Sequence, residues 1–318
     1  MNHYHYFSQR DFMMSQKQKL RELRRQDTDR LMSFIGRFSV HFALIFFSLC
    51  CLIPLIIIIS ASFTDEIALT REGYTLFPSM FSTRAYELIF KNPRAIIQAY
   101  AVTIFVTVVG TVIALTLMSL LAYALSRKEF VLRKPLSFFV FFTMLFNGGI
   151  VPYYILMTQY LRVQDTLFAL LLPYFVVVFY VLILRTYFAA LPEELFDAAR
   201  VDGAGEWRIF FSIVLPLAKP ALATIGLFTA LNYWNDWTTS LYFIRDSDLY
   251  PLQYLLYIIQ SNARAMQIQS SVGNITVGDV PTQSARMAMA VLATGPAAVF
   301  FLFFQRYLIR GITLGSFK

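Results

Sequence analysis

Residues Ala95 to Leu125 read AIIQAYAVTIFVTVVGTVIALTLMSLLAYAL, a largely apolar run without one charged side chain. At 1.5 Å rise per residue, a helix needs about 20 such residues to cross a hydrocarbon core roughly 30 Å thick. Five more stretches of this character lie at about Phe38–Ser60, Leu136–Met157, Thr166–Ala190, Phe210–Trp234 and Ala285–Leu308. The sequence therefore predicts an all-α integral membrane protein with six transmembrane helices. Composition points the same way. Of 318 residues 58% are hydrophobic and 14% charged, where a soluble domain carries about 25% charged residues. The first run is read as a membrane anchor and not a signal peptide, because it is too long, follows a polar tail over residues 1–37 and precedes five further spans. The remainder, 38–318, forms one transmembrane domain.

Basic residues exceed acidic ones, 27 to 19, for a net charge of +8. They sit at the edges of apolar runs and not along a soluble face, which argues against nucleic acid and for lipid as the partner of that charge. Lys and Arg stay on the cytoplasmic side of a membrane. Of the 27, 19 fall on one set of alternate connections, chiefly the tail and Arg127, Lys128, Arg133 and Lys134, and 8 on the other. Both termini are predicted cytoplasmic.

Several spans carry helix breakers: Pro152 with Asn147, Gly148 and Gly149 in the third, Pro173 in the fourth, Pro216 and Pro220 entering the fifth, Gly295 with Pro296 in the sixth. Each frees backbone groups that lipid cannot satisfy, so neighbouring helices or a wet cavity must. That fits a transport path, and it also fits kinked helices in a packed bundle. Small residues in the sixth span, among them Ala288, Ala290, Ala293, Ala297 and Ala298, allow close helix approach.

The chain offers no chemistry of its own. No GxxxxGK[ST] loop is present to cradle a nucleotide, the histidines are His3, His5 and His41, and Cys50 and Cys51 are adjacent inside an apolar run. Neither a metal site nor a nucleophilic triad can be assembled. The chain is predicted to be no enzyme and to bind no cofactor.

The most informative connection is LPEELFDAARVDGAGEWRIFFSIVLPLAKP, Leu191 to Pro220. Pro192 suits a first helical turn, Glu193 and Glu194 suit the positive end of the helix dipole, and Gly203 can end the helix in a left-handed conformation. Such a short helix lies at the lipid surface or fills a groove on a partner. Asp197-Ala198-Ala199, then Gly203, then Ile213, Leu215 and Pro216 resembles, at full spacing, the EAA loop of ABC importer membrane subunits. Asp197 departs from the usual glutamate and shortens its reach. NGGIVPYY at Asn147–Tyr154, YWNDW at Tyr233–Trp237 and QRYLIRGITLGSFK at Gln305–Lys318 are similar to the carbohydrate-uptake branch, maltose-type and LplC-like.

The resemblance implies a MetI-like permease of the bacterial cytoplasmic membrane, with a coupling loop over about 191–216. Glu194, Asp197, Ala198, Ala199, Gly203, Ile213, Leu215 and Pro216 would form the coupling site on a dimeric ABC ATPase, which alone holds ATP and Mg. A second permease would complete a heterodimer and half of an oligosaccharide path. An extracytoplasmic solute-binding protein would meet the outer loop, about 238–284. Sugar sites combine aromatic faces with a few polar groups, and Asn147, Asn232, Tyr233, Trp234, Asn235 and Asp236 offer that mixture; Trp and Tyr also gather as an interfacial belt. The competing readings are an ion-coupled secondary transporter, which would place charges inside its spans, and an integral-membrane enzyme acting on glycan or lipid. The spans lack such charges, and Asp236 and Asp246 alone make no catalytic set.

Overall fold

The computed structural model describes residues 38–91, 93–272 and 283–314, with side chains through 262 and at 283–299 and 301–302. The polar tail 1–37, part of the outer loop and the final residues lie outside the described residues. In chain order the helices are α1 (Phe38–Ser62), α2 (Glu66–Glu72), α3 (Arg84–Ile89), α4 (Pro93–Ser126), α5 (Arg133–Leu145) and α6 (Ile150–Ile155). There follow α7 (Leu167–Leu171), α8 (Val178–Ala189), α9 (Glu193–Val201), α10 (Glu206–Ile209), α11 (Leu215–Leu217), α12 (Lys219–Asn235), α13 (Thr238–Phe243), α14 (Leu252–Val272) and α15 (Gln283–Leu314). One isolated antiparallel bridge, Thr64 to Phe81, is the extent of β-structure among the described residues.

Helices α1 and α4 are each long and apolar enough to cross a membrane. Three bent pairs raise the count to as many as five: α5 with α6 and its π-helical extension (111°), α7 with α8 (48°), and α10–α11 with α12 (81°). These bends fall at the breakers. Between α5 and α6 the Asn147 Oδ1 accepts the Gly149 N–H at 2.8 Å, and Gly149 takes φ +82°, which an L side chain would resist. Pro173 stands in a 3-10 turn ending α7, and a π-helical turn over Phe210–Val214 precedes Pro216.

The break expected in the sixth span is absent. Helix α15 runs through Pro296 without interruption. Pro296 has no N–H to offer the Leu292 carbonyl, and the Tyr100 hydroxyl from α4 donates to that carbonyl at 2.6 Å. Beside it, Trp234 Nε1 from α12 donates to Ala293 O at 3.1 Å. Donors from neighbouring helices thus satisfy the backbone the proline frees, so the helix need not open.

The core is built on α4. Ala114, Met118, Ala122 and Leu125 pack against Val181, Leu184 and Phe188 of α8 and Ile225 of α12, all buried. Small residues set the spacing, since apolar side chains gain little from leaving lipid and close packing must hold the helices. A Cβ at Gly110 would lie 2.5 Å from the Tyr233 ring, and one at Gly226 3.0 Å from Leu115. At the start of α15, Ala285 and Ala288 pack on Ala85, and the Glu66 carboxylate accepts the Gln283 and Ser284 N–H groups at 2.9 Å, a charge-assisted cap on the positive helix end.

Candidate functional site

Helix α9 is short and two-faced. Phe196 and Ala199 are buried against the α4–α8 core, while Glu194, Leu195, Asp197, Ala198 and Val201 are exposed, Val201 at 87%. Pro192 stands one residue before the helix, its φ of −55° suited to entry. At the other end the Ala204 N–H donates to Ala199 O (2.9 Å) and the Gly203 N–H to Arg200 O (2.9 Å), with Gly203 at φ +77°. This is a Schellman closure, which uses orphan carbonyls and requires the left-handed residue. Of the small pair at 198–199, then, only Ala198 faces outward; Ala199 serves close packing within the chain.

A charge network fastens α9 to the α4–α5 turn. Arg200 lies 3.1 Å from Glu129, 3.4 Å from Glu206 and 3.5 Å from Asp197. Lys128 pairs with Glu193 at 2.7 Å, and Arg127 sits 4.0 Å over the Phe196 ring while approaching Glu129 at 3.5 Å. Glu206 also accepts the Tyr123 hydroxyl of α4. The Glu129 carboxyl is held below the usual carboxylate range, first by its own backbone N–H and then, against partial burial, by Arg127 and Arg200. Arg200 is pushed up, first by its hydrogen bond to Glu129 and further by the Glu129 charge and Glu206. Next to this network Tyr123, Phe130, Trp207 and Phe210 wall an apolar cleft of about 450 Å³. Beyond Gly203 the chain turns back through α10; Ile213 and Leu215 pack half-buried on the same core, Pro216 is exposed, and the bend at Ala218 leads into α12.

The sequence pattern located this loop but not Arg200, Glu129, Glu206 and Tyr123. Asp197 and Arg200 at i,i+3 are a visible signal; Glu129 comes from the α4–α5 turn and Tyr123 from α4 itself, and neither carries one.

The second expected cluster divides. Tyr233 is buried, its hydroxyl donating to Leu171 O at 2.7 Å, and Trp234 binds Ala293 O, so both brace helices. Asn232 Nδ2 donates to the Tyr180 hydroxyl at 3.2 Å, Asn235 bridges Leu231 O and Gln253, and Asp236 Oδ1 accepts the N–H groups of Thr238 and Thr239 at the start of α13. Asn147 lines a separate open cavity of about 590 Å³ with Tyr153, whose hydroxyl has no hydrogen-bond partner among the described residues. Among the described residues no group of three or more His, Cys, Asp or Glu could hold a metal ion.

An all-α fold of long and broken apolar helices around one packed axis is that of a multi-pass membrane permease. The chain belongs to the family of binding-protein-dependent transport system inner membrane components, matched over residues 30–314. It is an ABC-importer permease subunit of the carbohydrate-uptake superfamily, close to the LplC and YtcP type, and the family is non-catalytic. The polygalacturonan/rhamnogalacturonan transport system permease protein YtcP of Bacillus subtilis (strain 168) is 40% identical over 276 residues, 86% of this chain and 95% of the relative. Protein LplC of the same organism is 36% identical over 273 residues, 84% of this chain and 89% of its own. A crystal structure of a bacterial ABC transporter involved in the import of the acidic polysaccharide alginate contains a chain that superposes with a TM-score of 0.73 at 29% identity, covering 88% of this chain and 97% of that one. Family and fold together indicate an importer in which such a permease works with a paired permease, an ATPase and a solute-binding protein.

Proposed function

We propose that this subunit forms half of the path through which an oligosaccharide is imported by alternating access, driven by ATP and Mg at a separate dimeric ATPase. The observation that carries the reading is the two-faced helix α9, closed by Gly203 and tied by Arg200 to the α4–α5 turn. Its outer residues Glu194, Asp197, Ala198 and Val201 supply a small, mixed apolar and acidic face of the kind that fits a groove on a partner. Ala199, Gly203, Ile213, Leu215 and Pro216 set the path of the chain behind that face. When the ATPase closes, α9 moves as one body with the α4–α5 turn, and the bend at Ala218 passes the motion to α12.

In this reading the chain spans the membrane six times, α15 being the sixth, with both termini and the tail 1–37 cytoplasmic and 38–318 the permease domain. The excess of Lys and Arg on one set of connections supports that orientation. The outer loop 238–284, with α13 and α14, is the surface offered to the solute-binding protein. Asn147 with its cavity, and Asn232, Asn235 and Asp236, are the solute-facing groups; Tyr233 and Trp234 act as braces. YtcP and the alginate importer both support a polymeric glycan fragment as cargo, and the former's polygalacturonan and the latter's alginate favour an acidic one.

Gly203→Val tests the coupling role. A Cβ there meets nothing within 4 Å, so the change acts through the backbone, where a left-handed β-branched residue costs about 1–2 kcal/mol. In the reconstituted complex, ATP hydrolysis should persist while uptake falls. Unchanged uptake with the subunits still co-purifying would refute the docking role.

A further inference from the structure

A third cavity, of about 700 Å³, also borders the α4–α5 turn. It is lined by Lys128, Arg133, Lys134 and Arg185 with Ser137, and no carboxylate lines it. The Nε atoms of Arg133 and Arg185 both donate to the Leu125 carbonyl, at 3.1 and 3.2 Å. That shared bond fixes the two guanidinium groups side by side, and their terminal nitrogens meet no carboxylate among the described residues. Lys128 turns to Glu193, while Lys134 is exposed and pairs with no carboxylate among the described residues. Beyond the Leu125 carbonyl, three cations thus face one cavity with no carboxylate opposite, and like charges at close quarters favour a counter-anion. An independent observation points the same way: Ser137 Oγ, on the cavity wall one turn into α5, is buried and has no hydrogen-bond partner among the described residues.

We infer that this cavity binds a phosphoryl anion, supplied by the headgroup of an anionic phospholipid. Paired guanidinium groups match phosphate oxygens in charge and geometry, a serine hydroxyl adds a neutral donor, and the positive end of α5 favours the same charge. The lipid source follows from the flanks. Val131 is 91% exposed and Phe138 70%, so acyl chains have an apolar surface to follow away from the headgroup, as basic pockets between membrane helices allow. The lipid would then sit against the turn that carries the Arg200 network, independently of which solute is transported.

The test uses the whole importer complex, extracted in mild detergent and washed, with retained lipid measured by mass spectrometry. Phosphatidylglycerol should stay bound in preference to phosphatidylcholine, and Lys134→Glu should reduce its retention several-fold while the complex still assembles. Ser137→Ala should reduce it by a smaller factor. Equal retention of the two lipids, or phosphatidylglycerol retention unaltered by Lys134→Glu, would overturn the site. A third arm adds inorganic phosphate at millimolar concentration: failure to displace the lipid supports a lipid site. Saturable phosphate binding, with no phosphatidylglycerol retained, would overturn the lipid assignment.

Discussion

Substitution of Gly110 by alanine should strike the joint between α4 and α12. The new Cβ would lie 2.5, 2.6 and 2.9 Å from three carbons of the Tyr233 ring, where carbon atoms in contact sit about 3.5–4.0 Å apart. The ring would have to withdraw by roughly 1 Å. It has nowhere to go: it is 3% exposed, packs edge-on to Tyr174 at 5.1 Å, and its hydroxyl holds Leu171 O at 2.7 Å. A displacement of that size stretches the bond past the useful range. Overpacking costs about 1–3 kcal/mol and the lost hydrogen bond about 0.5–1.5 kcal/mol, so Gly110→Ala should destabilise by about 2–4 kcal/mol. Heat challenge of the purified complex followed by size-exclusion should show the midpoint several degrees lower. Because the two residues touch, the cost should shrink markedly in a Tyr233→Leu background. Tyr233→Phe alone should lose about 1 kcal/mol and leave the apparent KM for solute unchanged. Wild-type stability of Gly110→Ala, or the same cost in both backgrounds, would refute the packing argument; an altered KM would return Tyr233 to the solute path.

Tyr100→Phe should leave the Leu292 carbonyl opposite Pro296 without its donor and lower the thermal midpoint by the equivalent of about 1–3 kcal/mol; an unchanged midpoint would mean that another group satisfies that carbonyl. Arg200→Ala should leave the thermal midpoint close to that of wild type, since its ion pairs are solvent-screened, yet reduce uptake per ATP hydrolysed several-fold, with Arg200→Lys intermediate. An unaltered ratio would separate Arg200 from force transmission. Glu129 has a depressed folded-state pKa, so its stabilisation is present above the ordinary carboxylate range and lost as pH falls through the depressed value. Wild type should therefore be the more stable of wild type and Glu129→Gln at neutral pH, and the two should converge as pH drops below about 4; a gap that widens in acid would reverse the sign.

Up to five of the six expected spans were legible because lipid imposes a simple rule, a long charge-free run, and bends near Gly149, Pro173 and Pro216 were legible because a broken backbone ladder has few remedies. Pro296 leaves its helix unbroken for a reason that the local sequence does not carry. Its remedy, Tyr100, stands almost two hundred residues away on α4, and nothing in the local sequence announces it. The loop at 191–216 was legible as a spacing, including Gly203, whose left-handed backbone the Schellman closure demands. Which way Ala198 and Ala199 face was not, because a nine-residue helix with apolar residues on most sides has no unique inward stripe until α4 and α8 are placed against it. Tyr233 and Trp234 carried the same ambiguity: an aromatic side chain with one polar atom suits a sugar face, an interfacial belt or a helix brace equally, and the acceptors at Leu171 and Ala293, which tie them to neighbouring helices, are far away in sequence.

These braces bear on how force could cross the subunit. A helix that merely touched the ATPase would dissipate motion at its first flexible joint. Here Phe196 and Ala199 are packed into the α4–α8 core, Arg200 reaches Glu129 on the α4–α5 turn and Glu206 on α10, and Glu206 holds Tyr123 of α4. The departures from regular helix lie beyond these contacts, in the π-helical turn at Phe210–Val214 and the bend at Ala218. Past that bend, α12 is locked to α4 at Gly110–Tyr233 and to α15 through Trp234. In the proposed mechanism rigid contacts therefore flank these two joints, so a displacement of α9 must appear as a change of angle between the loop and α12, and the helices that move with α12 are those that its two aromatic braces hold.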